Sequence, residues 1–249
     1  EITVSGVISV SHSRETYYLN ITQPTYYAAK VFKEFLRRAG VEVTGKVRIG
    51  PVPEDAYDLS SHTSVPLSLV LRGLNKFSNN FVAEQILKTI GAELYGQPGT
   101  TENGLRAVGE YMQSLGHESG QFRVLDGSGL SRQNRLSPDQ IVSVLRDMHG
   151  DLGVYPEFVS ALGVMGRDGN VLKRMNGYNG SERARVKTGT LNFVSALSGY
   201  FQSAGGERFA FSILMNDLKC SNERAWSLQD RIVREGLKFE RETHGTGLD

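Results

Sequence analysis

The sequence predicts an α+β fold in which a predominantly antiparallel sheet is flanked by helices and accompanied by a helical region. Three strand-like segments follow one another at 183–190, 196–202 and 208–215, and Gly205-Gly206 joins the last two. This spacing is typical of an antiparallel meander. Ahead of it lie several stretches with apolar residues three and four positions apart, which is the pattern of amphipathic helices. The 249 residues, 39% of them hydrophobic, suffice for a globular core.

Each element is predicted from local periodicity and from helix or turn signals. Pro24 lies where a first helical turn would begin, and Gly40 where that helix would end. Residues 137–140, Ser-Pro-Asp-Gln, form a capping box with proline at the first helical position. In chain order, the patterns predict strands over 2–10 and 17–21, a helix over 24–39, a strand over 41–49, a helix over 66–74, a loop over 75–80, helices over 81–95 and 101–115, a brief strand over 122–125, helices over 138–148 and 155–162, a turn over 166–169, the three strands of the meander, and a final helix capped by Ser221.

Composition argues against several classes of function. The chain has 28 basic and 27 acidic residues, so its net charge of +1 offers no electrostatic basis for binding nucleic acid or an anionic membrane. Cys220 is the single cysteine, and the five histidines have no metal-ligand spacing. We therefore expect no metal and no cofactor. The chain begins at Glu1 without Met or an apolar leader, which predicts a mature product, a trimmed form or a fragment.

The segment from Arg185 to Leu191 carries the most distinctive chemistry. On a strand, Lys187-Thr188-Gly189 places an ammonium, a hydroxyl and a backbone without a side chain on an edge that faces a ligand. An extended anionic peptide could lie against that edge, and a side chain at Gly189 would push it away. Such a triplet also occurs by chance, so on its own it is equally compatible with a plain strand edge and a solvated lysine.

A second candidate group is Ser78-Asn79-Asn80, which lies between two predicted helices. A hydroxyl and an amide there can project into a cleft. Ser and Asn are also the preferred residues just before a helix such as the one that starts at Phe81, so a purely structural role stays open. The Gly-rich segment 126–131 is, from its residues, a turn.

The order of these motifs resembles the penicillin-recognising serine enzymes, whose signatures are Ser-x-x-Lys, Ser-x-Asn and Lys-Thr-Gly in that order. More narrowly, the chain is similar to the low-molecular-mass class C penicillin-binding proteins, the D-alanyl-D-alanine carboxypeptidase/endopeptidases. The resemblance implies a β-lactamase/transpeptidase-like fold with its active cleft between the Ser78 loop and the Lys187 strand. The stretches that carry the narrower resemblance are 75–83, 126–131, 166–169 and 185–198.

The resemblance also implies roles in acyl transfer. Ser78 would relay a proton to the leaving D-alanine nitrogen, and Asn80 would hold the substrate amide. Lys187 would keep the local potential positive and favour a neutral amine beside it. The Thr188 and Thr190 hydroxyls would bind the terminal carboxylate, and the Thr190 backbone N–H would form half of an oxyanion hole. The other substrate-binding residues that it implies are Gly189, Leu191, Asp126 and Ser128.

One signature of the family is absent, because no serine in the sequence has a lysine three positions later. In the family this nucleophile segment lies near the N-terminus, ahead of a large insertion. We therefore expect residues 1–21 to be the terminal strands of an inserted domain, and residues 22–249 to be the C-terminal part of the catalytic domain. The implied partners are a peptidoglycan stem peptide, β-lactams and the N-terminal part of the same enzyme. The implied location is periplasmic or otherwise extracytoplasmic.

Two alternatives stay open at this point. A β-lactamase shares the three signatures but needs a base for its hydrolytic water, and the stretches similar to class C peptidases argue against it. The chain by itself is also compatible with an inert or peptide-binding fragment. Unpaired strand edges and exposed apolar helix faces would then favour aggregation or a homo-oligomer.

Arg167 and Asp168 are expected to tie a loop down rather than to touch substrate.

Overall fold

The computed structural model describes residues 3, 5–13, 16 and 19–241. The chain forms two compact units, residues 1–62 and 63–249. The helices are α1 (Pro24–Arg38), α2 (Leu67–Phe77), α3 (Asn80–Tyr95), α4 (Thr101–Ser114), α5 (Pro138–Gly150), α6 (Tyr155–Ala161) and α7 (Asn222–Lys238), and the strands are β1 (Gly163–Val164), β2 (Ala184–Leu191), β3 (Val194–Gln202) and β4 (Arg208–Met215).

The first unit contains the helix α1 and otherwise irregular backbone in its described residues. Pro24 at the first position and two arginines in the last turn agree with the polarity of a helix. The helix predicted over 24–39 is thus confirmed. Its apolar face is exposed, however, since Phe32 is 64% and Phe35 61% accessible, and no residue of α1 is buried.

The strand predicted over residues 41–49 is wrong. The backbone there is irregular, and Val41 and Ile49 are 49% and 76% exposed. Alternation predicts which side chains would share a face, but a strand forms only where a neighbour exchanges backbone hydrogen bonds with it. The described part of this unit contains no such neighbour.

The strands predicted over 2–10 and 17–21 are likewise absent from the residues that the structure describes. Residues 5–10 and 19–21 have irregular backbone. The division of the chain into an inserted domain over 1–21 and a catalytic part over 22–249 stays a prediction. Outside the described residues lie Ile2, Val4, Tyr17 and Tyr18.

The second unit is built on a four-stranded antiparallel sheet in the order β1-β2-β3-β4. The predicted meander and the α+β class are confirmed. The register places Lys187 opposite Ser198 on β3. On the other side of β2, β1 pairs only with Arg185 and Val186. In the described residues, the edge of β2 beyond Val186 is therefore open.

Alternation along β2 sends its side chains to two faces of the sheet. The face that Val186 shares with Thr188 and Thr190 packs against α7. Lys187 lies on the opposite face, where Tyr200 packs beside α5 and its hydroxyl donates to the Leu145 carbonyl. The core cluster on the α7 side consists of Met165, Val171, Met175, Ala184, Val186, Leu197, Val233 and Leu237.

Helices α2 and α3 meet at a two-residue junction. Because α2 continues through 75–77, only Ser78 and Asn79 remain of the loop predicted over 75–80, and Asn80 already begins α3. Ser78 has φ 55° and ψ 52°, in the left-handed region, where a non-glycine residue is uncommon. Asn79 caps α3 with its side chain. The chain thus turns sharply at Ser78.

The remaining predicted helices are present, with small shifts at their ends. The capping box at Ser137 is complete, with both of its hydrogen bonds formed. The strand predicted over 122–125 is reduced to an isolated bridge between Arg123 and Arg135. None of the described helices combines the length and the apolar character needed to cross a lipid bilayer.

Candidate active site

The structure brings together Ser78 and Lys187, which are 109 residues apart in sequence. The Lys187 Nζ donates to the Ser78 Oγ at 2.6 Å and to the Thr188 carbonyl oxygen at 2.8 Å. Ser78 lies at the α2–α3 junction. Lys187 is the first residue of β2 beyond those that pair with β1. The two side chains therefore meet at the open edge of the sheet, where the sequence predicts the cleft.

Lys187 is held by neutral oxygens alone in the described part of the chain, where no carboxylate lies within ion-pair distance of its Nζ. Burial lowers the pKa of Lys187 below its ordinary value of 10.5, because a low-polarity environment disfavours the ammonium. An anionic ligand at this edge would meet a positive charge that no fixed carboxylate neutralises.

Three asparagines lie beside Ser78: Asn79, which caps α3, Asn80 and Asn170. The resemblance implied a role in the site for Asn80 alone. Asn80 is exposed, and its side chain makes no hydrogen bond to the described residues. The Asn170 Nδ2 lies 3.4 Å from the Ser78 Oγ, a long and weak hydrogen bond. Asn170 belongs to the segment that follows β1. No local pattern marks it, because its relation to Ser78 depends on the packing of distant elements.

Thr188 and Thr190 line a cavity of about 820 Å³ on the α7 side of β2. Their side chains therefore point to the face opposite that of Lys187, although all three residues lie along the same open edge. Gly189 is exposed between them, and a Cβ there would approach the Ala196 Cβ to 3.3 Å. Residues of α7, among them Trp226, form the far wall of the cavity. The carboxylate-binding role of the two threonines stays a prediction.

Asp126 and Ser128 hold the shape of their own turn. The carboxylate of Asp126 accepts from the backbone N–H groups of Gly129 and Ser131, each at 2.6 Å. The Ser128 N–H donates to the Glu84 Oε1 at 2.9 Å, which attaches the turn to α3. These contacts explain the order of the turn, and the predicted contact of Asp126 and Ser128 with substrate stays untested. Leu191 lines a second cavity of about 530 Å³ together with Gly129 and Ser131 of this turn.

A second lysine, Lys76, lies near Ser78 within the stretch 75–83, and the resemblance implied no role for it. The Lys76 Nζ donates to the Asp168 Oδ2 in a close ion pair, and the Asp168 Oδ1 accepts from the Val164 N–H at 2.8 Å. Burial would raise the pKa of Asp168, but the hydrogen bonds from Lys76 and from the Val164 N–H lower it below its ordinary value of 3.8. Asp168 thus ties down a loop, as its sequence context predicts.

The fold has known counterparts among solved structures. The penicillin-binding protein 4 of Haemophilus influenzae, in complex with a β-lactam, matches with a TM-score of 0.77 at 28% identity, over 89% of this chain and 53% of that chain. The TLA-3 extended-spectrum β-lactamase matches with a TM-score of 0.53 at 14% identity, over 70% of this chain and 64% of that chain, a likeness of fold alone. The architecture is therefore that of the β-lactamase and transpeptidase-like proteins.

Comparison of the sequence with known families and relatives shows which family the chain belongs to. Residues 1–235 match the D-Ala-D-Ala carboxypeptidase 3 (S13) family, and the chain belongs to this family. A D-alanyl-D-alanine carboxypeptidase of an Actinomadura species is 38% identical over 226 residues, 86% of this chain and 41% of the relative. The carboxypeptidase DacB of Haemophilus influenzae is 30% identical over 206 residues, 80% of this chain and 43% of the relative. The expected kinship with class C penicillin-binding proteins is confirmed, and the chain spans less than half the length of these relatives.

Proposed function

We propose that this chain provides the proton-relay and substrate-holding part of a serine-type D-alanyl-D-alanine carboxypeptidase that acts on peptidoglycan stem peptides. The observation that carries the proposal is the 2.6 Å contact of the Lys187 Nζ with the Ser78 Oγ at the open edge of β2. The names of the two carboxypeptidase relatives support the reaction class. A Ser-x-x-Lys segment outside these 249 residues would carry the nucleophile.

The substrate would lie along the open edge of β2 as an additional extended strand. Its terminal carboxylate would be attracted by Lys187 and bound by the hydroxyls of Thr188 and Thr190, with Gly189 leaving room for its backbone. Asn80, whose amide is exposed and uncommitted in the described structure, would hold the substrate amide. The Thr190 N–H would serve as half of the oxyanion hole.

Proton transfer to the leaving group would pass through Ser78. The nucleophilic serine would give its proton to the lysine amine of the Ser-x-x-Lys segment while its oxygen attacks the penultimate D-alanine carbonyl. As the C–N bond breaks, the departing nitrogen would take a proton from Ser78, and the protonated lysine would restore the Ser78 hydroxyl. Because the Lys187 Nζ donates to the Ser78 Oγ, the Ser78 hydroxyl hydrogen must point elsewhere and is free to be donated into the cleft. Water then hydrolyses the acyl-enzyme, and the net reaction releases D-alanine.

The test is D-alanine release from a peptide that ends in D-alanyl-D-alanine. The peptide is incubated with the chain alone and with a preparation that also contains the Ser-x-x-Lys segment. The control is a D-alanyl-L-alanine peptide, from which release of L-alanine is measured. We expect release only from the first peptide and only with both parts present. A folded two-part preparation that releases no D-alanine would contradict the proposal, and release by the chain alone would contradict the assignment of the nucleophile to another segment.

The same preparation separates the proposed peptidase from a β-lactamase. A peptidase of this kind binds β-lactams as substrate mimics and deacylates slowly, so we expect no rapid turnover of a chromogenic cephalosporin. Sustained fast turnover would favour the β-lactamase instead. The proposed substrate is part of the cell wall, so we also propose an extracytoplasmic location, which protease accessibility in intact cells would test.

A further inference from the structure

A closed ring of contacts surrounds the pair formed by Ser78 and Lys187. From Lys187 the ring follows β2 back to Arg185, which pairs with Val164 on β1. The Val164 N–H donates to one carboxylate oxygen of Asp168 at 2.8 Å, and the other oxygen accepts from the Lys76 ammonium. Lys76 precedes Ser78 by two residues in the last turn of α2, so the ring returns to its start.

The segment 168–170, which contains Asp168, lies in direct contact with α2. Gly169 follows Asp168 with φ +57°, and a Cβ on it would lie only 2.6 Å from the Lys76 carbonyl oxygen. The next residue is Asn170, whose Nδ2 lies 3.4 Å from the Ser78 Oγ. The segment 168–170 therefore contacts the end of α2 through an ion pair, a close backbone approach and a hydrogen bond. The Lys76 side chain is only 12% exposed, which is consistent with a fixed link.

We propose that Lys76 and Asp168, with Gly169 between α2 and the loop, are positioning residues that set the separation of Ser78 from Lys187. The α2–α3 junction and β2 are separate elements of the second unit. Apart from the Ser78–Lys187 contact itself, the ring joins them through Lys76, Asp168 and β1. Loss of the link would let the end of α2 move away from β2 and would admit water to Lys187. The contribution of this link to catalysis rests on the proposed function, whereas the contacts that form the link are independent of it.

The separation matters because proton relay requires hydrogen-bond contact. A misplacement of about 1 Å can reduce a rate on the order of 100-fold. Lys76 and Asp168 touch no reacting atom in this scheme, and they act only through the position of Ser78.

The test measures the titration of Lys187 directly, by NMR of the chain with ¹³C-labelled lysine, with the signal assigned from its loss in Lys187→Arg. Two variants weaken the link. Gly169→Ala inserts a Cβ against the Lys76 carbonyl without any change of charge. Its matched control is Gly177→Ala, since Gly177 also has a left-handed φ, +79°, but no atom lies within 4 Å of the place its Cβ would take. Asp168→Asn removes the charged acceptor of Lys76 without added bulk.

The sign of the shift separates positioning from simple electrostatics. The charged groups of the ring and its surroundings are Lys76, Asp168, Arg185 and Arg167. If the ring positions Ser78, both variants raise the pKa of Lys187 towards its ordinary value, because the ammonium becomes better solvated. If Asp168 acts only through its charge, Asp168→Asn lowers that pKa instead, because a nearby carboxylate favours the ammonium.

The proposal is overturned if Asp168→Asn lowers the pKa of Lys187. It is also overturned if the pKa of Lys187 is the same in Gly169→Ala as in the Gly177→Ala control. Asp168→Asn keeps the test decisive should Gly169→Ala fail to fold. No nucleophile is needed for the NMR measurement, so its outcome is independent of whether the chain takes part in peptide hydrolysis. In a preparation with the nucleophile, the same variants should slow acylation while leaving non-covalent binding of the peptide within about threefold of wild type.

Discussion

Two lysines lie beside the Ser78 turn, and they are held in different ways. Lys76 forms an ion pair with Asp168, and its side chain is 12% exposed. Lys187 contacts only neutral oxygens among the described residues, those of Ser78 and Thr188. A buried ammonium paired with a carboxylate has its charge satisfied within the fold. One that contacts only neutral oxygens keeps its charge available for a ligand.

The difference separates the lysine that forms a link within the fold from the lysine that we propose to act in the site. Both are partly buried, both approach the same turn, and net charge or motif counting cannot separate them. The group that each ammonium contacts separates them. Lys76 contacts the carboxylate of Asp168 and links α2 to the loop after β1, whereas Lys187 lies at an open strand edge. Substitutions at Lys187 should therefore change the chemistry without loss of stability. Substitutions at Lys76 or Asp168 should lower stability and should affect the chemistry only through the position of Ser78.

The largest effect is expected for Lys187→Ala. Acylation by a reporter penicillin, measured in a preparation with the nucleophile segment, should fall by at least on the order of 10²–10³-fold, because a charge aimed at the reacting centre is lost. The Tm should not fall, because no carboxylate is left unpaired. Lys76→Ala is the matched control and should lower the Tm, since it leaves Asp168 without its ion-pair partner. Normal acylation by Lys187→Ala would sink the site assignment.

Ser78→Ala comes next. Removal of the relay hydroxyl should reduce D-alanine release on the order of 100-fold, the usual range for the loss of a general acid. A matched control is Ser114→Ala, because Ser114 is exposed at the end of α4, its hydroxyl donates to the Tyr111 carbonyl oxygen, and it belongs to no candidate site. Steady-state release from a D-alanyl-D-alanine peptide is the measurement. Equal rates for Ser78→Ala and wild type would remove Ser78 from the mechanism.

Asp168→Asn should mainly affect stability. We expect a loss of about 1–2 kcal/mol near neutral pH, because the Lys76 ammonium loses a charged acceptor, while solvent partly screens the Asp168 carboxylate, whose side chain is 38% exposed. The folded-state pKa of Asp168 is lowered from 3.8, so the contribution is present above that value and is lost as pH falls towards the folded pKa. Urea unfolding from about pH 2 to neutrality should show the difference between variant and wild type shrinking on the acid side.

A control for this prediction is available one residue away. Arg167 and Glu182 form a surface ion pair at 3.6 Å, with side chains 66% and 42% exposed. Arg167→Ala should change the free energy of unfolding by less than about 1 kcal/mol. A loss as large as that of Asp168→Asn would contradict the distinction between the link, whose lysine is 12% exposed, and the surface pair, whose arginine is 66% exposed.

Gly189→Ala should give the smallest effect on the chain itself. A Cβ there meets only the Ala196 Cβ, at 3.3 Å, so a small local shift suffices to accommodate it. The Tm should stay close to wild type, while peptide binding along β2 weakens about tenfold, equivalent to about 1.4 kcal/mol. Gly169→Ala is the contrasting variant, since its Cβ meets the Lys76 carbonyl at 2.6 Å and should lower the Tm. A lower Tm for Gly189→Ala together with an unchanged Tm for Gly169→Ala would contradict the distinction between the two regions.

The sequence predicted the parts of the structure that depend on neighbouring residues. β2 pairs with β3, and β3 pairs with β4, so both hairpins join strands that follow one another and are visible in local patterns. The α5 capping box depends on four consecutive residues and was confirmed. The strand over 41–49 failed because alternation does not reveal whether a partner strand exists.

The candidate site divides in the same way. Ser78 and Lys187 were found because each belongs to a short motif of fixed residue types. The Lys76–Asp168 pair joins residues 92 positions apart, and no local pattern reports such a contact. The opposite facing of Lys187 and Thr188 follows from strand alternation and could have been predicted.

The central claim is that Lys187 and Ser78 belong to an acyl-transfer site whose nucleophile lies on another segment. The most direct measurement is to incubate the preparation with a reporter penicillin, denature it, and take the intact mass of every polypeptide present. The claim predicts a penicilloyl adduct on the segment that carries Ser-x-x-Lys, and its loss when this chain bears Lys187→Ala. An adduct that forms equally well with Lys187→Ala, or no adduct on any folded polypeptide, would contradict it.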